Sequence, residues 1–282
     1  MQPLDYCREK TSSSRSSFLS GFRFLPPAKR DALTVLYAFC RELDDTVDNC
    51  SDTGVAQTAL QWWRGDLAAA CSEKQAEHPV NRALQSVASD FGLPHGELDE
   101  IVQGMLMDLQ QNRYPDFPAL SLYCYRVAGV VGRLIARILG FSDPKTLLYA
   151  EKQGLALQLT NIIRDVGEDA LMGRIYLPQD ELGHYGVAES DILRRRPSEA
   201  FARLMAFQIE RARQTYREAR ALLPKADTKR QKAGLVMAAV YYALLMEIRR
   251  DGAENVLRYK TAIPPARKKR IALKTWLFGF NP

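Results

Sequence analysis

Almost from end to end, apolar residues in this chain recur at the three- and four-residue spacing of a helix, interrupted by Pro, Gly and Asp clusters. No alternation of apolar and polar residues lasts more than a few positions, so strands have no pattern to support them. Such a chain must bury its apolar stripes helix against helix. At 282 residues it can build one substantial core. It carries no internal repeat, low-complexity block or long linker, so one all-α domain spanning 1–282 is expected, with a basic tail from about 264. Helices are expected over 28–49, 57–71, 81–92, 95–111, 122–140, 146–169, 198–223 and 228–251. Several entries carry proline, which suits a first helical turn because its missing N–H has no partner there. The stretch 173–197 holds Pro178, Gly183 and Gly186 and reads as a long, partly ordered loop.

The longest uncharged apolar run, Ala233 to Met246, falls short of the ~20 residues that span a bilayer, and reads as a core helix. The N-terminal residues hold no apolar signal core, and five scattered cysteines without a C-x-x-C pair fit a reducing cytosol. A net charge of +6 suits an anionic partner. Lys and Arg are spread over the chain and no nucleic-acid module is recognisable, so nucleic acid is not the expected one. The tail places ARKKR at Ala266–Arg270 before IALKTWLFGFNP, a basic-then-apolar order that suits a solvated terminus or contact with anionic lipid at the inner membrane surface.

Two acidic helices carry the chemistry. Tyr37, Arg41, Asp44 and Asp48 step by four, three and four, so they share one helix face beside the apolar stripe of Leu36, Cys40, Leu43 and Val47. Gly154, Gln158, Asn161, Asp165 and Asp169 repeat the arrangement beside Leu155, Leu159, Ile162 and Val166. Like charges at i,i+4 repel, and proximity to a core makes their ionisation harder still. A shared cation reverses that balance. Oxygen ligands without Cys or His suit Mg²⁺, with Mn²⁺ as an acceptable substitute, and Mg²⁺ completes its shell with water and phosphate oxygens. Two such faces opposed across a bundle would hold a diphosphate through bridging ions, with Arg41, Arg164 and Arg174 adding charge-assisted hydrogen bonds. A single D-x-x-x-D is usually a solvated helix face; two of them, each flanked by Arg and an apolar stripe, are harder to read that way.

At these residues the chain resembles the squalene/phytoene synthase family over nearly its whole length. Y-A-F-C-R-x-x-D-D-x-x-D at Tyr37–Asp48 is similar to the family's first aspartate-rich motif, and Q-L-T-N-I-I-R-D-V-G-E-D-x-x-x-G-R-I-Y-L-P at Gln158–Pro178 to its second. Y-C-Y-R-V-A-G-V-V-G at Tyr123–Gly132 resembles its small-residue helix beside the substrate channel. Ser16, Ser17 and Phe18 resemble an N-terminal element that meets diphosphate, and Tyr241 and Arg258 fall where late substrate contacts are expected. The segments H-P-V-N-R-A-L and G-M-L-M-D-L-Q-Q-N-R-Y, with Trp62 and Trp63, look most like bacterial presqualene diphosphate synthases of hopanoid pathways.

The resemblance implies an isoprenoid-synthase helical bundle around a central active-site cavity. It implies Mg²⁺ held by Asp44, Asp48, Asn161, Asp165 and Asp169, and ionisation of one farnesyl diphosphate. The 2,3-double bond of a second farnesyl diphosphate then attacks the allylic cation, and proton loss closes the cyclopropane of presqualene diphosphate. Tyr37, Tyr123 and Tyr176 are the candidates for guiding the cation or taking the proton; Arg41 and Arg164 assist catalysis. Ser17, Phe18, Arg41, Gln158, Asn161, Arg174, Tyr241 and Arg258 are the expected substrate contacts. Phe18, Val127, Val131 and Leu157 are expected to line an apolar channel that keeps water from the cation. NADPH is not expected when the product is presqualene diphosphate.

Other products of the family (squalene, dehydrosqualene, phytoene) remain alternatives. A single-substrate terpene cyclase would share D-D-x-x-D and N-x-x-x-D-x-x-x-D, although the G-R-I-Y-L-P extension favours condensation of two substrates. A non-catalytic scaffold relative would be expected to have lost the aspartates, which all stand here.

Overall fold

The computed structural model describes residues 1–13, 25–50, 52–72 and 74–282. Thirteen α-helices run through the described residues: α1 (Pro3–Ser13), α2 (Pro27–Asp48), α3 (Thr53–Ala70), α4 (Pro79–Phe91), α5 (His95–Gln110), α6 (Phe117–Cys124), α7 (Val130–Leu139), α8 (Lys145–Leu171), α9 (Gln179–Tyr185), α10 (Glu189–Leu193), α11 (Glu199–Leu222), α12 (Lys232–Asp251) and α13 (Pro265–Phe278). A π-helical turn, Tyr125–Gly129, joins α6 to α7. The all-α expectation holds, and the long helices start within a few residues of their predicted positions.

Local chemistry explains the boundaries. Side chains satisfy the otherwise unpaired N–H groups of first turns. Asp52 accepts from the Val55 amide, Asp116 from Ala119 and Ser198 from Phe201. His78, a turn residue by sequence, caps α4 by accepting the Val80 amide on Nδ1. Gly92 ends the same helix at φ 61°, a conformation that glycine adopts without steric cost.

Three segments differ from the sequence reading. Residues 173–197 are not a loop throughout: α9 and α10 form there, because Leu182 and Ile192 are buried and Glu181 pairs with Arg211 of α11 at 2.5 Å. These helices are too short to display a period. The basic tail is helical as α13, docked by Arg267 to Glu247 at 2.6 Å and by Lys232 Nζ donating to the Trp276 carbonyl at 2.8 Å. Helix α1 was not expected. It has a weak apolar stripe and is held by the buried Cys7 and by Lys10, which pairs with Glu42 (3.0 Å) and Asp45 (2.9 Å) on α2.

The core has two large halves, one around α8, α11 and α12 and the other around α2, α4, α5 and α7. Val127, Leu157 and Tyr241 pack on both, so they mark the seam between them. The apolar stretch Phe117–Leu139 is long enough to cross a membrane, yet it packs beside this seam, with Arg126, Arg133 and Arg137 paired to Glu100 and Glu97.

Candidate active site

A cavity of about 760 Å³ follows the seam and is walled chiefly by α2, α5, α7, α8 and α12. Glycines set its width. A Cβ on Gly154 would lie 2.2 Å from the Ala128 carbonyl oxygen, and one on Gly132 would lie 2.2 Å from that of Ala150. Helix α8 therefore meets the π-turn and α7 backbone to backbone, which explains the small-residue run between Tyr123 and Gly132. The π-turn re-aims the side chains that follow it, a device common at functional sites. Val127, Val131 and Leu157 form part of the apolar middle of the cavity, as expected.

One end is charged. Asp44, Asp48, Asp108, Asp165, Glu168 and Asp169 line it together with Arg41, Arg164, Arg174 and Lys260, six carboxylates against four cations. Burial, with Asp48, Asp45 and Asp108 nearby, pushes Asp44 up to about 7 against the pull of Arg41. Burial and the Asp165 charge likewise push Asp169 up to about 7, despite Arg174 and Lys260. Asp165 is paired instead: Arg164 grips it through two hydrogen bonds, one of 2.7 Å, and Lys260 Nζ lies 3.1 Å away. Arg174, just past α8, reaches Asp48 on α2 at 3.1 Å. The two acidic motifs thus converge on one space.

Beside them stands a tyrosine stack. Tyr176 lies at 5.3 Å from Tyr123 and 5.8 Å from Tyr114, both nearly parallel, and donates a 2.6 Å hydrogen bond to Asp108. Arg174 is 3.5 Å from the other Asp108 oxygen. A single β-bridge between Arg113 and Ile175 ties the end of α5 to the segment carrying Arg174 and Tyr176. Burial raises the Tyr123 and Tyr176 hydroxyls well above the ordinary tyrosine value, so both stay protonated at neutral pH. They can orient and donate, but neither provides a phenolate base.

Of the residues singled out by sequence, Tyr37, Arg41, Asp44, Asp48, Tyr123, Gln158, Asn161, Arg164, Asp165, Asp169, Arg174, Tyr176 and Tyr241 all line this cavity. Ser17 and Phe18 lie outside the described residues. Arg258 is exposed, bonds to Asn255 Oδ1 at 3.3 Å, and is not among the described residues that line the cavity. It follows the short helical turn Ala253–Leu257, and Lys260, two residues on, lines the cavity. Sequence reasoning also passed over Asp108. Its signal was present, since Leu98, Ile101, Met105 and Asp108 step by three, four and three, which puts a carboxylate on the buried face of α5.

The donor set suits a hard divalent cation. Asn161 Oδ1 is buried without a hydrogen-bond partner while its Nδ2 donates to Gln158 at 3.3 Å, and Asp44 and Asp169 lack enough positive charge to ionise readily. Asp44, Asp48, Asn161, Asp165 and Asp169 are the residues that would hold such ions. Among the described residues no three His, Cys, Asp or Glu side chains close a cage alone. Magnesium sites commonly draw their remaining ligands from water and phosphate.

Comparison with known proteins agrees with this architecture. Residues 11–268 match the family model described as squalene/phytoene synthase. A phytoene synthase from Arthrospira platensis is 37% identical over 225 residues, covering 75% of this chain and 72% of its own. A presqualene diphosphate synthase from Sinorhizobium fredii is 34% identical over 241 residues, covering 85% and 86%. Among solved structures, a dehydrosqualene synthase superposes with a TM-score of 0.86 at 27% identity, covering 99% of this chain and 97% of that one. Squalene synthase HpnC from Alicyclobacillus acidocaldarius gives 0.77 at 29%, covering 89% and 94%. With both acidic motifs on one cavity and the match running through nearly the whole chain, this protein belongs to the squalene/phytoene synthase family, prenyltransferases that join prenyl diphosphates head to head.

Proposed function

We propose that the enzyme condenses two farnesyl diphosphates into presqualene diphosphate, a step toward thirty-carbon hopanoid precursors. The observation that carries this reading is the likeness to the presqualene diphosphate synthase over most of both chains, joined to a cavity that is acidic at one end and apolar beyond it. Arg41, Arg164, Arg174 and Lys260 are positioned to bind diphosphate oxygens, and Mg²⁺ held by Asp44, Asp48, Asn161, Asp165 and Asp169 would supply neutralisation of the departing charge. Asp108 fixes Arg174 and Tyr176 in place. Because Tyr123 and Tyr176 stay protonated, the proton lost on cyclopropane closure passes to released diphosphate, while Tyr37, within electrostatic reach of Tyr241, also lines the cavity.

A second reading has an observation of its own: the phytoene synthase is 37% identical, and phytoene is a forty-carbon product. Incubation with farnesyl or geranylgeranyl diphosphate and Mg²⁺, with and without NADPH, followed by mass spectrometry separates the two. Presqualene diphosphate from farnesyl diphosphate, unchanged by NADPH, supports the first reading. A forty-carbon hydrocarbon from geranylgeranyl diphosphate alone supports the second. A fifteen-carbon hydrocarbon would replace both with cyclisation.

The site also bears on where the enzyme works. We propose that α13 rests on an anionic membrane surface on the cytoplasmic side. Leu273, Leu277 and Phe278 are 54%, 61% and 81% exposed, Lys269, Arg270 and Lys274 are exposed beside them, and the helix holds no acidic residue. Burial and the Arg164 charge lower the Lys268 ammonium, which sets α13 within electrostatic reach of the cavity that releases a lipid product.

A further inference from the structure

The cavity follows α8 from its carboxylates back to Tyr149. Asp165 and Tyr149 are separated by about 24 Å along the axis at the helical rise per residue. Ile135, Tyr149, Gln153, Gln231 and Gly234 close that far end, with Tyr149 and Gln231 each only 1% exposed.

Gly234 stands apart from the glycines at which helices meet backbone to backbone. A glycine inside a helix is destabilising relative to alanine, so its presence calls for a cause. For Gly132, Gly154 and Gly167 the cause is helix packing: an added Cβ would lie 2.2, 2.2 and 2.4 Å from a carbonyl oxygen. At Gly234 the same Cβ would meet only Gln153 Nε2 and Tyr149 Oη, both at 3.5 Å, an ordinary contact. Its φ is not in the left-handed region either. Neither backbone conformation nor helix packing requires glycine here, and what the missing side chain leaves is room at the closed end. The opposite wall is firm. Gln153 Nε2 is tied to the Gly234 carbonyl at 2.9 Å, and the Tyr149 ring is buried against Ala136, Ala219, Leu223 and Leu235.

We propose that Gly234 and Tyr149 set the prenyl chain length that the cavity accepts: the glycine keeps about a methyl's width open for the end of the chain, and the Tyr149 hydroxyl, with Gln153, stops it. This rests on the reading of the cavity as a prenyl diphosphate site. In a hydrophobic pocket even one methylene is worth about tenfold or more in selectivity, so filling or opening this end changes preference between adjacent chain lengths by at least that factor.

The test uses equimolar geranyl, farnesyl and geranylgeranyl diphosphates with the wild type, Gly234→Leu and Tyr149→Ala, reading products by mass spectrometry. Binding of the three unreactive thiolodiphosphate analogues is measured in parallel by calorimetry. Gly234→Leu should shift preference toward the shorter chain, and Tyr149→Ala toward the longer, each by about tenfold or more in both readouts. A folded Gly234→Leu protein with the wild-type length ratio overturns the proposal. Should that variant fail to fold, an unchanged ratio in Tyr149→Ala overturns it equally. If the wild type binds the analogues but forms no head-to-head product, the condensation reading falls, and chain-length control is decided by the binding ratios alone.

Discussion

Asp44 and Asp169 face the same difficulty from opposite helices, since burial and like neighbours hold both near 7 rather than in the usual carboxylate range. Neutralising one relieves that conflict while removing a ligand. Asp44→Asn should therefore keep or raise the melting temperature at pH 8 yet lower product formation by at least about a hundredfold, as expected when metal-assisted charge stabilisation worth several kcal/mol is lost. An unaltered rate would support a non-catalytic role. Asp165 is different, because Arg164 and Lys260 already balance it. Asp165→Asn leaves those cations facing each other, so it should lower both activity and melting temperature. At Asp108, replacement by alanine strips the acceptor from the Tyr176 hydroxyl and leaves Arg174 with Asp48 as its remaining carboxylate partner. Loss of one member of such a buried pair costs about 3 kcal/mol, measurable by denaturant unfolding.

At the scale of elements, the pairing of α8 with the π-turn and α7 controls the cavity wall. Gly154→Ala forces a methyl into the Ala128 carbonyl, and overpacking of this kind costs about 1–3 kcal/mol. Because Gly154 also lines the cavity, the variant should lose turnover along with stability, whereas a purely structural effect would spare the surviving folded fraction. Helix α13 offers a separate test. Replacing Lys269, Arg270 and Lys274 by Gln should weaken sedimentation with phosphatidylglycerol vesicles, at about 1 kcal/mol per charge, with little change on neutral phosphatidylcholine. Equal binding to both vesicle types by the wild type would remove the electrostatic basis of the membrane proposal.

For the whole molecule, the two raised carboxyls make stability depend on pH. A folded-state carboxyl that titrates near 7 holds its proton more tightly than the unfolded chain, which titrates near 4. Between those values the native state binds more protons, so these groups make stability fall as pH rises from about 4 to about 7. In EDTA the melting temperature should be lower at pH 8 than at pH 5.5. Adding Mg²⁺ with inorganic pyrophosphate should restore it, and more at pH 8 than at pH 5.5, by about 2.7 kcal/mol at a hundredfold excess over the dissociation constant. Equal stabilisation at both pH values would mean that the cations bind elsewhere.

Helical period and proline entries were legible in the chain, because they depend on neighbours three and four positions away. So was the acidic pairing on α2 and α8, since two aspartates per helix fall on one face whatever surrounds them. Asp108 could have been found by the same arithmetic, as a charge inside an apolar stripe. Short α9 and α10, and the docked α13, were not legible because their stability draws on Arg211, Arg113, Glu247 and Lys232 on distant segments. The bond of Arg258 to Asn255 and the place of Lys260 on the cavity likewise depend on how the chain packs after α12. Sequence alone decided which faces are acidic and which apolar. Only tertiary packing decided that those faces share one cavity, where burial makes Asp44 and Asp169 costly to ionise, a cost that a bound cation would offset.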